Sequence, residues 1–157
     1  IAVLFEGKVE QIASPQEIYK KPSNKKVANF IGLMNFFPTN SIKKISSGYQ
    51  IDIQGLGKTI LKLDQVPGGK ISDKMSIGIR PEMLSILYEN SEKFDKILTG
   101  KVQEVSYSGD MTYYEISLQN LENTISVSMR NTSGRKILEK GELTKIGWNS
   151  KSLVLLT

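Results

Sequence analysis

The sequence has 157 residues, of which 39% are hydrophobic, and this suffices for one ordinary globular domain or for a domain with a fragment of another. It contains no cysteine and no histidine, which excludes disulfides, thiolate or imidazole metal ligands, and catalytic triads built on either residue. The net charge of +5 comes from separated lysine pairs with acids between them, a pattern that favours a solvated basic surface over a nucleic-acid partner and fits a location near anionic lipid equally well.

The chain opens with the pattern of a β-hairpin. Two β-type runs, 1–4 and 8–13, flank Phe5-Glu6-Gly7, in which the glycine can adopt a positive φ. The first residue is Ile1 rather than a methionine, and the sequence begins in the middle of a strand pattern. We therefore expect the chain to be part of a longer protein, with the rest lying upstream.

Two short helices are predicted next. Residues 14–17 place a serine at the N-cap, a proline at the first helical position and a glutamate at the third, which together form a capping box. Pro22 ends this helix. A second helix is predicted from Ser23 to Gly32, a glycine expected at the left-handed C′ position, with three apolar residues on one face: Val27, Phe30 and Ile31.

From Asn35 onward, alternation of apolar and polar residues predicts a β domain with Gly, Asn, Asp and Ser at the turns. Strands are predicted at 49–53, 59–63, 76–80, 84–87, in a meander at 101–107, 113–118 and 124–129, and at 144–148 and 153–156. The apolar pattern at 42–60 recurs weakly at 102–125, so two similar halves are expected to share one core. Short strands at this spacing favour a small, closed or partly open barrel of the OB type.

Residues 55–59, Gly-Leu-Gly-Lys-Thr, imitate the end of a phosphate-binding P-loop. Such a loop needs a glycine where Asp52 stands and must lead into a helix, whereas a strand pattern follows Thr59. A β-hairpin is therefore predicted here. The chain also lacks an acid pair at a recognised motif spacing, so no catalytic residue and no metal site are predicted.

Three tyrosines in the β domain offer aromatic surface: Tyr107, Tyr113 and Tyr114. Aromatic residues on an OB surface can stack nucleic-acid bases, which keeps an OB-type nucleic-acid module as an alternative function. Strand alternation places Tyr113 and Tyr114 on opposite faces, so at least one of them is expected in the core. Three carboxylates near strand ends are predicted as turn or surface residues: Glu82, Asp110 and Glu115.

One stretch of the sequence resembles a known family closely. It consists of residues 7–19 (GKVEQIASPQEIY), followed by Pro22, Asn24, the segment 27–32 (VANFIG) and Asn35. This pattern is similar to the end of the nucleotide-binding domain, and the junction after it, in ABC importer ATPases that carry a C-terminal TOBE (transport-associated OB) domain. Further matches to the TOBE domain are found at 79–82 (IRPE), 105–109 (VSYSG) and Gly147-Trp148.

The resemblance implies a mainly β fold: an OB-like barrel over 34–157, preceded by a β-hairpin and two short helices, residues 1–33, that end the nucleotide-binding domain. The ATPase motifs and the bound MgATP belong upstream, so this chain is expected to be non-enzymatic and without a cofactor. The intact subunit is expected to form a homodimer, to hydrolyse ATP and to drive inner-membrane permease subunits from the cytoplasmic face. The chain itself is expected to serve regulation and dimerisation, without nucleic acid as a partner.

Residues 107–112, with Tyr114 and the segment 129–131 (MRN), are most similar to the spermidine/putrescine importers, although sugar, iron and sulfate importers share this tail. Asp110 and Glu115 are therefore predicted to pair with the ammonium groups of a polyamine beside the tyrosines. Arg80 and Glu82 are predicted to fix the local turn, to pair across the bend or to reach a partner subunit. The candidate regulatory or inter-subunit contacts are Asn35, Arg80, Glu82, Tyr107, Asp110, Tyr114 and Glu115.

Overall fold

The computed structural model describes residues 1–66, 70–72, 75–89 and 93–156. Over these ranges the chain forms thirteen strands, two α-helices and several short 3-10 turns. Many of the strands alternate buried and exposed side chains, as expected of sheets that place one face on a core. The mainly β fold predicted from the sequence is therefore confirmed.

The first two strands, β1 (Ala2–Phe5) and β2 (Lys8–Ile12), form the predicted hairpin. Their two-residue turn places Glu6 at φ 50° and Gly7 at φ 76°. Positive φ at both central residues gives the turn a twist that matches the strands, and glycine adopts that conformation without strain. The hairpin is the first element of what we call the lead-in, residues 1–33.

Helix α1 (Pro15–Lys20) starts with the predicted capping box. The Ser14 hydroxyl accepts a hydrogen bond from the Glu17 amide at 3.3 Å, and the Glu17 carboxylate accepts one from the Ser14 amide at 3.1 Å. These bonds satisfy two amides that the start of the helix would otherwise leave without partners. The hydrogen bonds from Ser14 also lower the pKa of the Glu17 carboxyl.

Helix α2 (Lys25–Ile31) differs from its prediction at both ends. Its N-cap is Asn24 rather than Ser23, because the Asn24 side-chain oxygen accepts a hydrogen bond from the Val27 amide at 3.0 Å. Gly32 has φ 171°, which is extended backbone and not the predicted left-handed conformation. The chain therefore leaves α2 straight into the next segment instead of turning back over the helix.

The buried face of α2 also differs from its prediction. Phe30 is 67% exposed and packs edge-on against the ring of Phe5, with the ring centres 5.8 Å apart. The apolar residues that are buried in the lead-in come from one strand and both helices: Val3, Ile18, Val27 and Ala28. This small cluster is separate from the core of the β domain.

The β domain contains the other eleven strands of the described residues. Their bounds are β3 (Asn35–Phe37), β4 (Thr39–Ile45), β5 (Gly48–Ile53), β6 (Gly57–Lys62), β7 (Ser76–Ile79), β8 (Ser85–Ile86), β9 (Lys96–Ser108), β10 (Met111–Leu118), β11 (Ile125–Arg130), β12 (Leu143–Trp148) and β13 (Val154–Leu156). Two three-stranded sheets, in the orders β4-β5-β6 and β13-β7-β3, accompany a five-stranded sheet in the order β11-β10-β9-β12-β8. The paired strands run antiparallel.

The five-stranded sheet contains the predicted meander. Strands β9, β10 and β11 pair in sequence, with Tyr114 of β10 opposite Val105 on one side and Val127 on the other. Strand β11 comes close to β8 at the far edge, so the sheet curls into a nearly closed barrel. Such closure removes exposed sheet edges, which otherwise invite pairing with other chains.

The segment that imitates a P-loop is a hairpin, as predicted. Strands β5 and β6 pair antiparallel with Ile53 opposite Gly57, and Thr59 lies within β6 rather than in a helix. The two halves of the β domain share one hydrophobic core. It combines residues of the first half with residues of the second, among them Ile51, Ile53, Leu61, Val102, Ile116 and Trp148.

Candidate functional site

Arg80 is buried where the lead-in meets the β domain. It directly follows β7 and is only 3% exposed. Its Nε and Nη2 donate hydrogen bonds to the carbonyl oxygen of Tyr19 at 3.3 and 2.9 Å, and its Nη1 donates to the carbonyl oxygen of Leu33 at 3.2 Å. The guanidinium also lies 3.9 Å from the centre of the Tyr19 ring. One side chain of the β domain thus contacts the backbone of α1 and that of Leu33, the second residue after the end of α2. We call this set of contacts the Arg80 junction.

The Arg80 junction contains no ion pair among the described residues. The predicted pairing of Arg80 with Glu82 across the bend is not formed, because the guanidinium points to the lead-in while Glu82 is exposed in the 3-10 turn. Burial lowers the pKa of the Arg80 guanidinium, and partial loss of water raises the pKa of the Glu82 carboxyl. Backbone carbonyls therefore stabilise the buried positive charge.

Asn35 holds the start of the β domain to the barrel. Its Nδ2 donates a hydrogen bond to the Ser126 carbonyl oxygen at 2.9 Å, and its Oδ1 accepts one from the Ser126 amide at 2.8 Å. The side-chain amide thus pairs with β11 as a further strand would. In β3 the same residue pairs with Ile79, the neighbour of Arg80 in sequence. The position of Asn35 is that of a structural link beside the Arg80 junction.

A groove of about 990 Å³ runs between the lead-in and the β domain beside Arg80. Tyr19 and Pro22 line one wall, and Val66, Leu153 and Leu155 line the other. Packing across the junction is interrupted along this groove. The hydrogen bonds of Arg80 therefore provide a larger share of the contacts that hold the lead-in to the β domain.

A second cavity collects tyrosines at one end of the barrel. Tyr107 and Tyr114 lie on the same face of the β9–β10 pair, and Tyr88 joins them from the segment after β8. The cavity has a volume of about 370 Å³, and it is also lined by Met129, Arg130, Arg135, Lys136 and Ile137. We call it the tyrosine cleft.

The three tyrosines have different roles in this cleft. Tyr114 is 1% exposed and its hydroxyl oxygen accepts a hydrogen bond from the Leu138 amide at 3.4 Å. The Tyr88 hydroxyl donates to the Lys136 carbonyl oxygen at 2.8 Å. Burial, together with the nearby Tyr114, raises the pKa of Tyr88 to about 12, so it stays protonated at neutral pH. Tyr107 is 65% exposed and offers its ring to solvent.

The predicted carboxylates are not gathered around Tyr107 and Tyr114. Glu115 lies on the opposite face of β10, where its carboxylate accepts hydrogen bonds from the hydroxyls of Thr124, at 2.8 Å, and Ser126. The tyrosine on that face is Tyr113, which is 37% exposed, so the prediction that Tyr113 and Tyr114 face opposite ways is confirmed. On the neighbouring strand β9, Glu104 lies directly opposite Glu115.

Asp110 sits in the exposed turn between β9 and β10. Its backbone carbonyl accepts a hydrogen bond from the Asn131 amide at 2.7 Å, while its side chain does not line the tyrosine cleft. The turn is thereby held against the segment after β11. Of the seven candidate contacts, only Tyr107 and Tyr114 share a cavity, and Arg80 and Asn35 are neighbours at the junction.

The cations of the tyrosine cleft were not among the residues predicted from the sequence. Arg130, Arg135 and Lys136 fall within seven residues of one another, in a segment with Thr132, Ser133 and Gly134. This local density of positive charge was the available signal. Charge density alone does not predict which residues lie next to this segment, because only the fold places it against tyrosines from three other parts of the chain.

Two other kinds of feature are absent from the described residues. Within the described ranges, no group of three or more acidic side chains is placed so that it could hold a metal ion. The helices in the same ranges are all too short or too polar to cross a membrane. The Arg80 junction and the tyrosine cleft are therefore the candidate functional sites.

A family model for the TOBE domain matches residues 77–156, which include the strands from β8 to β13 and all of β7 except its first residue. The chain belongs to the TOBE domain family. The bend that carries Arg80 lies inside the TOBE match, and the lead-in lies before it. Residues on both sides of the Arg80 junction are nevertheless in contact, as described above.

Relatives of this TOBE chain carry the name spermidine/putrescine import ATP-binding protein PotA. The protein from Nitrosospira multiformis is 31% identical over 99% of this chain, and that from Nitrosomonas europaea is 32% identical over 99%. The protein from Vibrio cholerae is 38% identical over 69%. The TOBE chain spans 43%, 43% and 28% of the length of these relatives.

Among solved structures, the TOBE chain is similar to the cytoplasmic molybdate-binding protein ModG with molybdate bound. The TM-score is 0.55 at 14% sequence identity, and the match covers 78% of this chain and 94% of ModG. At this identity the likeness concerns the fold. It confirms the OB-like architecture that was predicted for the TOBE region.

Proposed function

We propose that this chain is the C-terminal part of the ATP-binding subunit of a bacterial ABC importer for polyamines, and that its TOBE barrel regulates the subunit. The spermidine/putrescine import proteins, which it resembles over nearly its whole length, support this proposal. Residues 1–33 then end the nucleotide-binding domain, and residues 34–157 form the regulatory domain. The observation that carries the proposal is the buried contact of Arg80 with the lead-in, because it joins these two parts.

A movement of the nucleotide-binding domain would reach the barrel through the Arg80 junction. One planar, buried guanidinium holds the carbonyl oxygens of Tyr19 and Leu33 at fixed positions relative to the end of β7. Since Tyr19 belongs to α1 and Leu33 follows α2, displacement of either helix acts on the same side chain. The junction therefore passes on a rotation that a flexible linker would absorb.

The lead-in also offers a surface to the rest of the subunit. Large apolar side chains of the hairpin and of the α2 region are exposed: Ile1, Leu4, Val9, Ile12, Phe30 and Leu33. Apolar side chains concentrated on one small exposed element are typical of an interaction surface. In the proposed subunit, the body of the nucleotide-binding domain covers them.

The intact subunit is proposed to be a homodimer that hydrolyses MgATP and drives permease subunits at the cytoplasmic face of the inner membrane. The catalytic residues and the MgATP site belong to the nucleotide-binding domain in this proposal, and this chain contributes neither. A barrel that self-associates would keep two such domains at a high effective concentration while they open and close. That role is regulatory, because it changes how often the domains meet and leaves their chemistry as it is.

The test compares transport with ATP hydrolysis in the intact importer reconstituted in vesicles. The variant Arg80→Met keeps an unbranched aliphatic stem and removes every hydrogen bond of this side chain to the lead-in. We expect it to hydrolyse ATP while spermidine uptake per ATP falls severalfold. Lys145→Met, which removes an exposed charge on β12, is the matched control and should behave as the parent does. Unchanged uptake per ATP in a folded Arg80→Met importer would contradict the proposal.

A direct contact between the barrel and a polyamine stays a prediction. The carboxylates predicted to bind the polyamine are Glu115, on the face that also carries Tyr113, and Asp110, in the β9–β10 turn. Calorimetry of this chain with spermidine tests it, with Glu115→Gln as the variant. Absence of heat at millimolar spermidine would remove the prediction and would leave the coupling role of Arg80 as it stands.

A further inference from the structure

We propose that the tyrosine cleft binds a small anion of one chemical class, a nucleoside phosphate, with its phosphate on the arginines and its flat base on the exposed tyrosine. This goes beyond the coupling role proposed above and does not depend on it. The cleft is a cavity of about 370 Å³, at the small end of the range of roughly 300–1,000 Å³ in which proteins hold small ligands.

The lining of the cleft is positively charged. Arg130, Arg135 and Lys136 contribute to it, and no carboxylate of the described residues does. Glu142 pairs with Lys136 and neutralises that charge. Neither arginine has an acidic partner among the described residues, so two positive charges remain without a counter-charge.

Arg135 is held in place beside the cleft. Arg135 donates one hydrogen bond from Nη1 to the carbonyl oxygen of Arg130 at 3.2 Å, and its guanidinium stands over the Tyr88 ring at 5.5 Å from the ring centre. A guanidinium has five N–H donors, so most of those of Arg135 stay available. Guanidinium groups bind phosphate through paired hydrogen bonds, and the hydroxyls of Thr132 and Ser133 in the same wall can add further donors.

The remaining walls suit a flat, apolar group. Tyr107 is largely exposed and lines the cleft, while Met129 and Ile137 add aliphatic surface and Tyr114 lies beneath. A base that packs on an aromatic ring gains stacking energy whatever its identity. An inorganic ion would use the arginines and leave this surface bare. The combination of both wall types is what favours a phosphate joined to an aromatic ring.

The same charges disfavour a polyamine in this cleft. Spermidine carries several positive charges, which the guanidinium groups of Arg130 and Arg135 repel. The nearest predicted acid, Asp110, lies in the adjoining turn with its side chain outside the lining. The cleft and the face of Glu115 therefore present opposite electrostatic environments on one barrel.

The experiment is calorimetric titration of this chain with AMP at low salt, with adenosine, inorganic phosphate and spermidine as comparison ligands. We expect AMP to bind more tightly than adenosine or phosphate alone, and spermidine not to displace it. Arg130→Gln and Arg135→Gln should each weaken AMP binding about tenfold or more, because each removes charge-assisted hydrogen bonds. Tyr107→Ala should weaken AMP binding and leave the weaker binding of phosphate unchanged.

Lys145→Gln is the matched control, since it removes one positive charge at an exposed position of β12 outside the cleft. It should bind AMP as the parent does, and thermal unfolding verifies that every variant is folded. The inference is overturned if millimolar AMP gives no heat, if adenosine binds as tightly as AMP, or if the double variant Arg130→Gln/Arg135→Gln retains full affinity. It is also overturned if a short single-stranded oligonucleotide binds far more tightly than AMP, because the site is then a nucleic-acid surface. None of these results changes the spermidine uptake per ATP that is expected of the importer with Arg80→Met.

Discussion

Arg80 has its positive charge stabilised by backbone carbonyl oxygens, and its removal takes the charged donor away from two part-buried oxygens. A hydrogen bond to a charged group contributes about 1.5–3 kcal/mol. With the carbonyls of both Tyr19 and Leu33 affected, we expect Arg80→Met to lower the free energy of unfolding by about 2–4 kcal/mol. Arg80→Lys should lose less, because it keeps the charge and an ammonium group that can donate hydrogen bonds. Urea unfolding of this chain measures both, and Lys145→Met should change the value by less than about 0.5 kcal/mol.

Asn35 makes both of its hydrogen bonds with the backbone of one residue, Ser126. Asn35→Ala leaves an amide and a carbonyl of β11 without these partners, so we expect a loss of about 1–3 kcal/mol in unfolding free energy. Asn35→Asp should lose at least as much, because it turns a negative oxygen towards the Ser126 carbonyl. Asn40→Ala, at an exposed position of β4, is the control. Equal stability of Asn35→Ala and Asn40→Ala would show that the pairing with β11 has no energetic role.

Tyr88 predicts a pH dependence of stability in the alkaline range. Burial raises the pKa of Tyr88 to about 12 in the folded chain, from its ordinary value of 10.0. The unfolded state therefore loses this proton first, and stability falls as the pH rises from about 10 towards 12. Urea midpoints measured at stepped pH values should decline less steeply in Tyr88→Phe. Tyr113→Phe, which alters an exposed hydroxyl, should leave the decline as it is in the parent.

At the scale of elements, strand β9 depends on a glycine. A Cβ placed on Gly100 would lie 2.4 Å from Cγ2 of Ile116 on β10, which is far inside van der Waals contact. Overpacking of this kind typically costs about 1–3 kcal/mol. We expect Gly100→Ala to lower the unfolding free energy by that amount in urea titrations. Thr99→Ala, at the exposed neighbouring position, should cost much less, and similar values for the two would mean that β10 simply moves aside.

Elements whose hydrogen bonds are local could be predicted from the sequence. The capping box at Ser14 and Glu17, the hairpin at Gly55–Thr59 and the β9–β11 meander depend on residues close together in the chain. The start of α2 was misplaced because Ser23 and Asn24 are both good caps, and the choice depends on which side chain reaches the Val27 amide. The N-cap preference of a residue type does not predict the distance from its side chain to that amide.

The pairing of distant strands could not be predicted in the same way. Strands β7 and β8 flank the predicted bend, yet β7 pairs with β3 and β13 while β8 pairs with β12. These partners are set by burial of the whole core, which no short window of sequence contains. The same holds for the candidate sites. Strand alternation, a local pattern, correctly placed Tyr113 and Tyr114 on opposite faces. The acceptors of Arg80 are backbone oxygens, which carry no mark in the sequence.

At the scale of the whole molecule, the exposed apolar side chains of the lead-in distinguish this chain from the proposed intact subunit. The sequence has no cysteine, so Ile12→Cys introduces a single thiol on that surface. We expect this thiol to react quickly with a maleimide in the chain and slowly in a cysteine-free intact subunit, where the nucleotide-binding domain covers it. Lys145→Cys should react quickly in both. Equal labelling of Ile12→Cys in the two forms would place the lead-in outside the domain contact.

The Arg80 junction has a consequence for chimeras. Because its acceptors are main-chain oxygens, the joint depends on where the two helices end and hardly on which residues form them, apart from the ring of Tyr19. A lead-in transplanted from a relative should dock onto this barrel without compensating changes, provided that its helices keep the same lengths. Sequence drift in one part of such a protein then leaves the joint with the other part intact.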